Sequence, residues 1–246
     1  MKKLLLLLAL CAFSFGAELK VAAAANVTYA FEDIKAEFAK THPKDTLDVS
    51  LGSSGKLVAQ VKNGAPFEVF MAANVAFAQS LYDDKFAVTK PVVYARGSVA
   101  MMSVRGFDLS KGLEVLKDPK VKTIVIANPQ TAPYGTASVE AFKNAGIYDA
   151  IKHKIITANS IGDALSQTIS AGDVGFIAAS SMYSPKMKEY KEGKDFVLVD
   201  PKLYTPIDQA MVLLKNGEKS KLAKEFYDFI LSEQGKAIFK KYGYGF

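Results

Sequence analysis

The strongest constraint in this chain is an alternation that runs once and then restarts. Leu19 to Ala25 reads as a buried apolar strand, and Val27, Phe31, Ile34 and Phe38 then recur at helical spacing. Thr46 to Leu51 alternates as a strand, and Lys56 to Val61 continues as a helix that stops at Asn63-Gly64. Phe67 to Ala72 is a third strand and Ala76 to Tyr82 a third helix. Strands separated by amphipathic helices pair in parallel through right-handed crossovers. The pattern resumes with strands at Val99–Val104 and Thr123–Ile126 and a helix at Ala137–Ala145 closed by Gly146. A strand at Ile155–Ala158 follows, then a helix marked by Ile161, Leu165 and Ile169. Val174–Ala178, Phe196–Val199 and Ala210–Leu214 are further strands, and Ser220–Leu231 and Glu233–Lys241 are closing helices. An α/β pattern that occurs twice in 246 residues predicts two similar lobes.

The first residues stand apart. Met1-Lys2-Lys3 is a basic start, Leu4 to Phe15 is apolar except for Ser14, and Gly16-Ala17-Glu18 closes the run. This is the layout of a secretory signal peptide, spanning 1–17, and the run is too short for a transmembrane helix. The one cysteine, Cys11, lies inside it. Leu10 precedes that cysteine where a lipid-anchor signal wants a small residue, so a cleaved signal is the reading preferred. The exported chain then has no cysteine and folds without disulfides.

Composition narrows the partners. The formal charge is +6, yet Arg96 and Arg105 are the only arginines. Nucleic-acid readout leans on arginine forks, whereas scattered lysine reads as a solvated surface. His42 and His153 stand alone, without a second histidine or a cysteine at metal-ligand spacing. Ser53-Ser54-Gly55-Lys56 fits S-x-x-K, but the S-D-N and K-T-G partners of that catalytic motif are missing.

Four strand-to-helix junctions share one grammar, small or polar residues followed by a helix start. They are Ala24–Thr28, Gly52–Gly55, Ala132–Thr136 and Asn159–Asp163. Each helix start offers unpaired N–H groups and the positive end of a dipole, which binds an anion without a cationic side chain. Taken singly, such residues are ordinary caps, and Ser160 with Asp163 reads as a capping box. Four junctions in one two-lobed chain point to a small anionic ligand between the lobes.

These residues resemble a family. Val21–Asn26, Gly52-Ser-Ser-Gly-Lys-Leu57, Gly64–Ala73, Asn128–Gly135, Gly175–Ile177 and Ile238–Gly243 look like the periplasmic molybdate-binding proteins of ABC importers, in order from Leu19 to the end. The resemblance implies a class II periplasmic-binding-protein-like fold, two α/β lobes with mixed sheets and a ligand cleft between them. It implies a lobe of 18–95 plus 205–246 and a second lobe of 96–204. It implies a periplasmic monomer, with no cofactor and no catalysis, that hands molybdate or tungstate to a membrane permease. The metal would be held through its oxygens, with no direct protein–metal bond.

Carried over by position, the oxyanion site is Asn26, Ser54, Tyr134 and Ile161. Ser54 gives a hydroxyl and an N–H, and Tyr134 and Ile161 give backbone N–H groups. Asn26 replaces the family serine, so its amide NH₂ donates and its carbonyl faces away. Ala178 falls where many members place a tyrosine, and the Tyr134 hydroxyl is expected to replace that missing donor. Two alternatives stay open: another tetrahedral oxyanion such as sulfate or phosphate, and a secreted enzyme on the same fold. For the latter, Asp208 is the carboxylate to test.

Overall fold

The computed structural model describes residues 16–246. Residues 1–15, with the basic start, the apolar run and Cys11, lie outside the described residues, so the signal-peptide expectation falls almost wholly there.

Among the described residues, ten strands form two five-stranded sheets. The first sheet has β1 (Glu18–Ala24), β2 (Thr46–Gly52), β3 (Val69–Met71), β4 (Val92–Gly97) and β10 (Ile207–Leu213) in the order β2-β1-β3-β10-β4. The second has β5 (Val99–Met102), β6 (Ile124–Ala127), β7 (Ile155–Ala158), β8 (Val174–Ala178) and β9 (Phe196–Leu198) in the order β7-β6-β8-β5-β9. Both are mixed. β1 pairs in parallel with β2 and β3, and β6 with β7 and β8, while β10 and β5 run antiparallel to their neighbours.

Helices cover both sheets: α1 (Thr28–Ala39), α2 (Ser54–Lys62) and α3 (Val75–Asp83), then α4 (Pro133–Asn144), α5 (Tyr148–Ile151) and α6 (Ile161–Ser170), then α7 (Lys221–Leu231) and α8 (Glu233–Lys241). The chain crosses between sheets twice. The first crossing runs from β4 through Gly97 and Ser98 into β5, and the second returns from β9 into β10. Arg96 Nε donates to Asp208 Oδ1 at 2.5 Å, tying the two crossing strands together in register. That pairing places Asp208 on the hinge, facing an arginine.

β4 was not legible as a strand. Its burial follows no two-residue alternation, because its outer edge meets solvent and the C-terminal tail rather than another strand. α4 begins four residues before the expected Ala137. Pro133 occupies the first helical position, where its missing N–H costs nothing.

One apolar cluster joins the lobes. Ala24, Ala25 and Ala73 from beneath the first sheet pack with Ala127, Ala132, Tyr134 and Ile161 of the second. Among the described residues, no helix is long and apolar enough to cross a membrane.

Candidate functional site

The four junctions meet where the lobes face each other, stitched pairwise into a ring. The Gly55 N–H donates to Thr131 O at 2.9 Å, joining the start of α2 to the loop before α4. Lys56 Nζ donates to Asn159 Oδ1 at 2.8 Å, joining α2 to the loop before α6. α6 packs on the 3-10 turn Ala25–Val27, with Gly162 beside Ala25. Gln209 closes the ring between Asn26 and Tyr134.

Each expected residue is buried in this ring. Ser54 is 0% exposed, Tyr134 1%, Asn26 2% and Ile161 6%. Ser54 and Ile161 are the first residues of α2 and α6, and Tyr134 is the second of α4. N–H groups at those positions have no intrahelical acceptor. Among the described residues, none of the three is paired with a carbonyl or a side chain elsewhere. The Ser54 hydroxyl accepts from the Ala73 N–H at 2.9 Å, which leaves its own proton free to be donated.

Asn26 is arranged differently from the expectation. Its Nδ2 donates to Gln209 Oε1 at 2.9 Å and to Tyr244 Oη at 3.0 Å, so both amide protons are used inside the protein. The Oδ1 atom is the end left buried without a partner. The reason is the buried Gln209 and Tyr244 oxygens, which take that donor. The Asn26 backbone carbonyl is pinned from both sides, by the Tyr244 hydroxyl at 2.9 Å and by Ser180 Oγ at 3.1 Å.

The Tyr134 hydroxyl is engaged through its oxygen. It accepts from Gln209 Nε2 at 3.1 Å and lies against Gly97, at the first crossing. That bond holds the hydroxyl oxygen at the hinge, and among the described residues no acceptor takes its proton. Tyr94 completes the network by donating to Gln209 Oε1 at 2.9 Å. Burial raises the Tyr94 and Tyr134 phenols well above their ordinary range and pushes Tyr244 up to about 12, so all three are neutral. Among the described residues, no charged side chain is buried.

Sequence reasoning did not find Gln209, Tyr244, Ser180 or Thr131. Tyr244 and its neighbour Tyr242 are buried in the C-terminal segment. Two further oxygens, Ser53 Oγ and Thr131 Oγ1, are buried without partners beside the ring. Ser53 stands at the N-cap of α2 but makes no capping bond, whereas Ser160 caps α6 through the Asp163 N–H at 3.1 Å. His42 is not a plain surface residue, since it stacks on Phe38 with ring centres 4.0 Å apart and meets Glu225. Among the described residues, no group of three His, Cys, Asp or Glu side chains is placed to hold a metal ion.

Two sheets, two hinge strands and a cleft ringed with helix N-termini define a two-lobed solute receptor. The comparisons agree in detail. The chain belongs to the bacterial extracellular solute-binding protein family, whose model matches residues 19–245. It is 34% identical over 232 residues to the molybdate-binding protein ModA of Azotobacter vinelandii, covering 93% of this chain and 90% of that protein. It is 33% identical over 229 residues to ModA of Rhodobacter capsulatus, covering 92% and 88%. The solved structure of the Azotobacter vinelandii periplasmic molybdate-binding protein superposes with a TM-score of 0.85 at 31% identity, covering 93% of this chain and 99% of that one.

Proposed function

We propose that this chain is a periplasmic receptor that captures molybdate, and tungstate with it, between its lobes and delivers it to an ABC permease. Asn26, Ser54, Tyr134 and Ile161 form the oxyanion shell, with Asn26 contributing through its backbone. One observation carries the reading: unclaimed N–H groups at three helix starts and a free Ser54 proton are gathered in a ring that, among the described residues, buries no charged side chain. Such a site stabilises an anion by dipoles and hydrogen bonds alone. The relatives named above, called molybdate-binding, support the choice of ion.

A fully deprotonated tetrahedral oxyanion suits a shell made of donors. A protonated one brings a hydrogen that faces another hydrogen, and a smaller one leaves donors out of reach. The reading assigns no catalytic step and no cofactor. About five hydrogen bonds to a charged ion, at roughly 1.5–3 kcal/mol each, exceed what ordering and closure consume and reach micromolar to nanomolar affinity.

The test is calorimetric titration of the mature protein, stripped of bound ion, with molybdate, tungstate, sulfate and phosphate. The reading expects one-to-one submicromolar binding of the first two and none of the others. Binding of sulfate or phosphate alone would move the protein to the other-oxyanion alternative. Silence from all four would leave the family assignment without this ion.

A further inference from the structure

Lys56, the last residue of the unexplained S-x-x-K run, is out of place by local rules. It sits in the first turn of α2, where the helix dipole disfavours a cation. Its ammonium reaches across to Asn159 of the other lobe. The pair stands in a cavity of about 410 Å³ lined by Gly52, Ser53 and Gln60 on one side and Asn159, Ser160 and Asp163 on the other. Of the residues lining this mouth, Lys56 alone is cationic and Asp163 alone is anionic. Ser53, one residue from Ser54, lines the same space, and its Oγ is buried and unpartnered.

We propose that Lys56 is the capture and retention residue of the cleft. With the lobes apart, its free ammonium adds to the two helix starts and draws an oxyanion to the mouth. With the lobes together, the same ammonium turns to Asn159 and bars the way out. This rests on the reading of an anion site in the cleft. It extends that reading to a residue outside the ion's own shell, acting on rates.

Stopped-flow tyrosine fluorescence with molybdate tests it, since the chain has no tryptophan. The comparison is between wild type, Lys56→Gln, Asn159→Ala and a control, Lys111→Gln, on the exposed face of the second lobe. Lys56→Gln is expected to slow association by about 5- to 10-fold at low ionic strength and to flatten its salt dependence. Asn159→Ala keeps the charge and is expected to leave association intact while speeding release by roughly three- to tenfold. Equal association rates and salt slopes for Lys56→Gln and Lys111→Gln would overturn capture. Unchanged release in Asn159→Ala would overturn retention. A wild type that binds no molybdate would instead remove the functional reading beneath both.

Discussion

Gln209 Nε2 donates to the Tyr134 hydroxyl at 3.1 Å, so a strand of one lobe holds the first turn of a helix in the other. The two residues lie 75 positions apart in the chain and meet fully buried beside Gly97. The bond makes the Tyr134 side chain part of the hinge while its backbone N–H faces the cleft. Tyr134→Phe leaves a buried Gln209 N–H without an acceptor and should destabilise the fold by about 1–3 kcal/mol. Molybdate affinity should stay within about threefold of wild type. Thermal unfolding and calorimetry together check this, and a drop in affinity beyond tenfold would return the hydroxyl to the ion.

Ser54→Ala separates a donor from its support. The variant removes the hydroxyl proton offered to the ion and strands the Ala73 N–H. A lost hydrogen bond to an anion corresponds to about 10- to 100-fold weaker molybdate binding. Calorimetric titration reads it, and an unchanged dissociation constant would take Ser54 out of the shell.

Gly97→Ala places a methyl group between the two hinge partners. The added carbon would lie 2.7 Å from Gln209 Nε2 and closer still to the Tyr134 hydroxyl. Relief requires the lobes to part or the strands to shift, at a cost of about 1–3 kcal/mol. Small-angle scattering in saturating molybdate should show a larger radius of gyration than wild type. An identical profile would mean the hinge absorbs the carbon locally.

Tyr244 gives a pH signature. Its phenol is pushed up to about 12 by burial, against an ordinary value of 10.0. Below pH 10 it is protonated whether the chain is folded or not, and it contributes no pH dependence. From pH 10 to about 12 the unfolded chain releases the proton first, so stability falls by up to about 3 kcal/mol. Lysines titrate in the same range, so the readout is the difference between wild type and Tyr244→Phe in denaturant unfolding from pH 8 to 12. The variant should lose less stability across that window, and parallel curves would contradict the burial of this hydroxyl.

The alternation of strands and helices was legible because apolar periodicity is local. The junctions that hold Ser54, Tyr134 and Ile161 were legible for the same reason, while the choice of those residues as ion donors came from the family resemblance. The start of α4 was missed by one turn because Pro133-Tyr134-Gly135 reads equally well as a loop. Gln209 and Tyr244 were invisible for a different reason. They meet Asn26 across 183 and 218 residues, and no local pattern encodes a partner at that distance. The same blindness reversed the Asn26 amide. Its polarity is set by the oxygens of those two residues, so neighbouring sequence carries no trace of it.

The absence of any buried charge in the cleft, among the described residues, reaches beyond affinity. An ion matched to a salt-bridge partner leaves behind an unbalanced group when it goes, and something must neutralise that group. Here the departing ion would leave only neutral amides and hydroxyls in its own shell, with Lys56 outside that shell in solvent. Unloading is then a purely mechanical act. A transporter that grips the two lobes and draws them apart needs no proton and no exchange ion, and the emptied receptor can be reloaded at once.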